Sequence, residues 1–199
     1  MNFGILDLEM TCDGKQVGKK FIDDGRMRHF LREIISVGFI VADKNFSVKK
    51  SYQAFVKPAR NSVLTEYCKN LTGITQAEID GGKMCNEVFG DILKICRNFS
   101  VEIIFTFDRF DKAGILNSAR FCKEAKEPSK NIYIVAEKIF DVKPIILSAV
   151  SSGNKKRLSL SKISQMLQIE IDAAKHNDLN DALLLCKICK RINFKIRRI

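Results

Sequence analysis

The apolar residues of this chain keep two different rhythms, and their order limits the folds open to it. Residues 3–10, 33–42 and 51–56 are short apolar or alternating runs rich in β-formers, which predicts three successive strands in a meander; residues 102–107 make a fourth strand candidate. Residues 86–99, 112–126, 159–167 and 179–192 instead carry apolar side chains three and four apart, the spacing of helices. Strands first and helices later predict a mixed α/β layer fold. Two segments follow neither rhythm: the polar, basic stretch 14–29 reads as a loop or insertion, and 131–152 admits either helix or strand. No repeat is visible and the three prolines do not cluster into a linker, so residues 1–199 are expected to form a single domain, with 14–30 a basic loop or insertion within it.

Three local features carry chemistry. Asp7 and Glu9 stand two apart in Ile5-Leu6-Asp7-Leu8-Glu9-Met10, so in a strand they point to one face, about 7 Å apart, on an otherwise apolar element. Such a pair costs energy unless a cation sits between the carboxylates; alone, it also fits a half-buried strand whose polar face meets water. The second feature is His176-Asn177-Asp178-Leu179-Asn180-Asp181, at the mouth of the last helical pattern. Asn177 or Asp178 suits the N-cap, which leaves His176 on the preceding loop and Asp181 in the first turn, though acids at a helix start also simply complement its dipole. The third is Asp111, just after the fourth strand candidate, where ligands of open α/β sheets gather and where turn-forming acids are common too.

Charge narrows the partners. Thirty-four Lys and Arg against 23 Asp and Glu give a net +11, so the surface should attract polyanions, nucleic acid first among them. The stretch 15–32 (Lys15, Lys19, Lys20, Arg26, Arg28, Arg32) and the tail (Arg191, Lys195, Arg197, Arg198) could track phosphates or be solvated. No secretory signal and no membrane-spanning run is visible, which predicts a cytoplasmic protein that does not engage a membrane. Seven scattered cysteines suit reduced thiols; the single CxxC, Cys186 and Cys189, lacks the second ligand pair of a structural zinc site.

Taken in order, Asp7, Glu9, Asp111, His176 and Asp181 resemble the signature of the DEDDh 3′-5′ exonuclease superfamily, which has the RNase H-like fold. Asp7-Leu-Glu-Met-Thr-Cys12-Asp13, Glu33-Ile-Ile-Ser-Val-Gly38, Phe55-Val-Lys-Pro58, then Leu64, Cys68 and Leu71-Thr-Gly-Ile-Thr75, are similar to its Eri-type, KapD-like branch over roughly residues 2–192. The chain departs from that pattern in three places. Phe107 and Asp108 stand where a Trp-Gly pair is common, making Asp108 a rival metal ligand; Ser36 stands where Glu is frequent; and HNDLNDA replaces a segment with a small residue and paired aspartates.

The resemblance implies a mixed central sheet, an antiparallel three-strand meander plus parallel strands, flanked by helices. It also implies a metal-dependent 3′-5′ exonuclease acting on single-stranded nucleic acid, RNA favoured over DNA, and releasing nucleoside 5′-monophosphates. Four carboxylates, Asp7, Glu9, Asp111 and Asp181, would hold two Mg2+ or Mn2+ ions, hard cations that favour oxygen ligands. His176 would be the general base, because an unperturbed imidazole titrates at about 6.5 and can accept the proton of the attacking water. Met10, Thr11, Leu71, Thr72 and Phe107 are the substrate-contact candidates, by stacking or packing on the terminal nucleotide. Two other readings remain: a DNA-directed proofreading or repair enzyme of the same superfamily, and a binding module that has lost catalysis.

Overall fold

In a computed structural model, residues 1–13, 31–150, 158–170 and 177–194 are described with their side chains, and the backbone also at Phe21–Asp23 and Arg26–Arg28. The expected meander is present. β1 (Asn2–Met10) pairs antiparallel with β4 (Ile34–Asp43), which pairs antiparallel with β5 (Val48–Lys57). Between β1 and β4, the stretch read as a basic loop or insertion contains a two-stranded antiparallel hairpin, β2 (Phe21–Asp23) and β3 (Arg26–Arg28). The main sheet has six strands in the order β6-β5-β4-β1-β7-β8. β6 (Lys83–Met84), β7 (Val101–Thr106) and β8 (Ile139–Asp141) each join it in parallel.

Helices cover both faces. In chain order they are α1 (Glu66–Thr72), α2 (Gln76–Asp80), α3 (Cys85–Asn98), α4 (Arg109–Glu124), α5 (Lys130–Lys138), α6 (Lys143–Val150), α7 (Leu160–Met166) and α8 (Asp178–Arg191). Within the undecided stretch, residues 131–150 form most of α5, then β8 and α6. β4 runs as Ile-Ile-Ser-Val-Gly-Phe-Ile-Val-Ala, nearly all apolar and all buried, because a strand covered on both faces has no side to turn to water.

The period of two sorts β1 between two cores. Leu6 and Leu8 join Val37, Phe39 and Val41 of β4 under α3, α4 and α5. Phe3 and Ile5 join Ile40 and Ala42 under α6, α7 and α8. Asp7 and Glu9 continue the second row, so the apolar face that α8 covers turns acidic where β1 ends. Burial of these side chains at about 25 cal/mol per Å2 of apolar surface holds α8 in place and determines where its N-terminus falls.

Candidate active site

The C-terminal ends of the parallel strands β1 and β7 and the N-terminus of α8 meet at one place. There, one ligand atom each from Asp7, Glu9 and Asp181 lie within 4.8 Å of one another. Asp181 reaches it because α8 starts where the sequence predicts: Asn177 is the N-cap, its side-chain oxygen accepting from Leu179 N at 3.0 Å and Asn180 N at 3.3 Å. Asp111 lies in the first turn of α4, inside the helix rather than in a turn before it, and is buried.

The electrostatics are those of a site built for cations. Burial, then the charges of Asp111, Asp181, Glu9 and Asp178, raise the Asp7 pKa well above its ordinary value. Burial, Asp178 and Asp181 lead the causes that push Glu9 up to about 8. Asp111 is raised to about 7, by burial and then by the neighbouring charge of Asp108, against the opposing pull of Lys143. Carboxylates this close repel one another when ionised, and a divalent cation bound among them would remove that cost. The donor set is all oxygen, so the residues fit a hard divalent metal.

Asp108 is engaged within the protein. It is the N-cap of α4, with one oxygen accepting from Phe110 N at 3.2 Å and the other paired with Lys143 Nζ at 2.6 Å. The expected substrate contacts divide. Leu71 is exposed, whereas Phe107 is buried in the second core with the Lys143 ammonium 5.0 Å from its ring centroid. Phe107 thus has little surface to offer a substrate. β7 ends at Thr106, so Phe107 turns inward; Phe110, 60% exposed and next to Asp111, is the accessible aromatic there.

Thr11 and Thr72 are buried as well, with both hydroxyls engaged inside the protein. Thr11 Oγ1 accepts from Glu33 N at 3.0 Å and Asn61 Nδ2 at 3.2 Å, while Thr72 Oγ1 donates to Cys68 O at 2.8 Å. Met10 is half-buried against Gly114 of α4, where an added Cβ would come within 2.3 Å of its sulfur. His176, and the basic residues Lys15, Lys19, Lys20, Lys195, Arg197 and Arg198, lie outside the described residues, as do the side chains of Arg26 and Arg28.

Two features went unread in the sequence. Asp178 is 1% exposed beside the carboxylate cluster, and Gly38 lies directly beneath it. A glycine inside an otherwise apolar strand marks a close backbone approach and was the available signal. The CxxC cysteines are simply packed: Cys186 and Cys189 are buried in the second core, and Cys186 Sγ donates to Phe46 O at 3.4 Å. All seven cysteines are free and buried, and among the described residues no helix is long and apolar enough to cross a membrane.

A six-stranded mixed sheet with an acidic cluster at the end of its central strand defines an RNase H-like nuclease architecture. The family model for RNase T-type exonucleases matches residues 5–189, and the chain belongs to that exonuclease family. It is similar to 3'-5' exoribonuclease 1 of Rattus norvegicus, at 26% identity over 94% of this chain and 52% of the relative. It also resembles 3'-5' exonuclease eri1 of Schizosaccharomyces pombe, at 27% identity over 54% of this chain and 33% of that protein. The chain thus spans about half the length of the first of these curated relatives. The fold is shared with the nuclease domain of 3'hExo, a DEDDh family member solved bound to rAMP (TM-score 0.75, 19% identity, 96% of this chain and 91% of that one). Exonuclease I shares it too (TM-score 0.64, 16% identity, 96% and 40%). These likenesses bear out the DEDDh, Eri-type resemblance and the RNase H-like fold.

Proposed function

We propose that this chain is a metal-dependent 3′-5′ exonuclease that hydrolyses phosphodiester bonds from the 3′ end of single-stranded RNA and releases nucleoside 5′-monophosphates. The observation that carries this is the convergence of Asp7, Glu9 and Asp181 within 4.8 Å, with buried Asp111 close enough to raise the Asp7 pKa, in a member of the exonuclease family. RNA is favoured because the similar proteins include 3′-5′ exoribonucleases, and because related structures carry rAMP or recognise a histone mRNA stem-loop. The buried free thiols suit a reducing compartment such as the cytoplasm.

In this reading Asp7, Glu9 and Asp181 hold one Mg2+ or Mn2+, and Asp111 with Asp7 supports a second. When bound, the pair activates the attacking water and stabilises the leaving oxygen of an in-line displacement. The protein's residues do the rest. His176, one residue before the N-cap of α8, takes the proton of the attacking water. Leu71 and Phe110, both exposed, offer apolar surfaces on which terminal bases can stack without regard to sequence. The phenyl ring of Phe110 takes the role the sequence had suggested for Phe107.

End-labelled RNA and DNA, each single- and double-stranded, assayed with Mg2+, with Mn2+ and with chelator, test the proposal. Single-stranded RNA should shorten one nucleotide at a time from its 3′ end, only with metal. Faster loss of single-stranded DNA would move the substrate class to DNA. Tight binding without hydrolysis in any metal would mark a binding module and overturn the enzymatic reading.

A further inference from the structure

The first turn of α8 rests on a notch in the sheet. In register, Asp7 of β1 faces Gly38 of β4, Gly38 faces Gln53 of β5, and Glu9 faces Ser36. A Cβ on Gly38 would lie 2.3 Å from the Asp178 carbonyl carbon and from Leu179 N, so only bare backbone lets the helix start come this near. The backbone of Asp178 and Leu179 occupies that space, and the Asp178 carboxylate has donors on both sides. Ser36 Oγ donates to one oxygen; Gln53 Nε2 at 2.6 Å and Leu179 N at 2.8 Å donate to the other. Three elements, β4, β5 and α8, are joined at one side chain that is 1% exposed.

Asp178 stands outside the group of Asp7, Glu9 and Asp181 that shares one position. A carboxylate offers about four lone-pair sites, and three of these are already filled by its donors. Asp181 lies three residues on, on the same helical face, so whatever fixes Asp178 against the sheet fixes where the Asp181 carboxylate meets Asp7 and Glu9. We propose that Asp178 is a positioning residue: the Ser36–Asp178–Gln53 clamp over Gly38 locks the first turn of α8 so that Asp181 completes the cation site.

The inference rests on the proposed metal-dependent activity, and Mn2+ binding by calorimetry gives it a readout of its own. Asp178→Ala leaves Ser36 and Gln53 without their acceptor. It should weaken Mn2+ binding and raise the Mn2+ needed for half-maximal hydrolysis by about tenfold or more, while the rate at saturating Mn2+ largely recovers. Asp178→Asn removes the charge and keeps the clamp: its amide oxygen can accept from Gln53 and Leu179, and its amide nitrogen can donate to Ser36 Oγ, whose proton can turn to the nearby Ala54 carbonyl. It should rescue most of the lost affinity. Gln53→Ala, at an exposed position, should shift Mn2+ binding in the same direction by less, and serves if Asp178→Ala does not fold. Equal loss in the Ala and Asn variants would make Asp178 a metal ligand by charge. A fall in Tm with unchanged Mn2+ binding in Asp178→Ala and Gln53→Ala would make the clamp structural only. Either result overturns the proposal. A wild type that binds Mn2+ yet hydrolyses nothing would instead sink the enzymatic reading and leave the clamp to be judged by calorimetry.

Discussion

Glu9 carries a measurable consequence at the scale of one residue. Burial and the charges of Asp178 and Asp181 raise its pKa from 4.5 to about 8, and Asp7 is shifted the same way. A raised carboxylate pKa means that the native state holds the proton more tightly than the unfolded chain does. Without metal, the cost is absent below about pH 4.5 and grows as pH rises through about 8. Metal-free Glu9→Gln should therefore gain Tm over wild type by a few degrees at about pH 8.5 and little at about pH 5. Differential scanning calorimetry at the two pH values checks this; a gap independent of pH would contradict the repulsion. Asp7→Ala and Glu9→Ala should both fold and lose hydrolysis, since these side chains repel one another and serve the metal more than the fold. His176→Ala should slow turnover by roughly 10²–10⁴-fold with metal and substrate affinity little changed, and higher pH should partly restore the rate. Relief by added Mn2+ instead would make it a ligand, and near-normal turnover would remove it from the mechanism.

At the scale of elements, the contact of β4 with α8 decides the site. Gly38→Ala inserts a Cβ 2.3 Å from the backbone of α8. Something must shift, and the expected result is a loss of about 1–3 kcal/mol in urea unfolding together with a large loss of activity. An active, fully stable Gly38→Ala protein would show that the helix start can move without cost. The long elements were legible because nine to sixteen residues give a period time to declare itself, as in β1, β4, α3, α4 and α8. Several short ones were not, although β7 and α7 were: β8 has three residues, and α1 and α2 have seven and five. Their caps were nonetheless written in the sequence. Thr65 caps α1, Gly73 ends it at φ 74°, and Thr75 with Glu78 forms a capping box for α2.

The site was legible to the same degree, for the same reason. Asp7, Glu9 and Asp181 follow from a period of two and a capped helix start, whereas the burial of Phe107, Thr11 and Thr72 was not legible, because only tertiary packing says which side chains turn inward. Asp178 was weighed only as a cap, since its partners Ser36 and Gln53 are 142 and 125 residues away in the chain.

For the whole molecule, an acidic centre sits in a chain of net charge +11. Phosphate contacts by Lys and Arg release counterions, so binding of single-stranded RNA to the Asp7→Ala protein should weaken steeply with salt; a flat response would give the basic surface another purpose. If the carboxylate cluster hydrolyses RNA from its 3′ end, the first nucleotide released reveals it. Incubating 3′-end-labelled single-stranded RNA with the wild-type protein and Mn2+, and identifying the first labelled product, tests it most directly. A labelled nucleoside 5′-monophosphate is expected from the wild type, and none with chelator or from Asp7→Ala. A labelled 3′-terminal oligonucleotide, a 3′-monophosphate, or equal release by Asp7→Ala would contradict it.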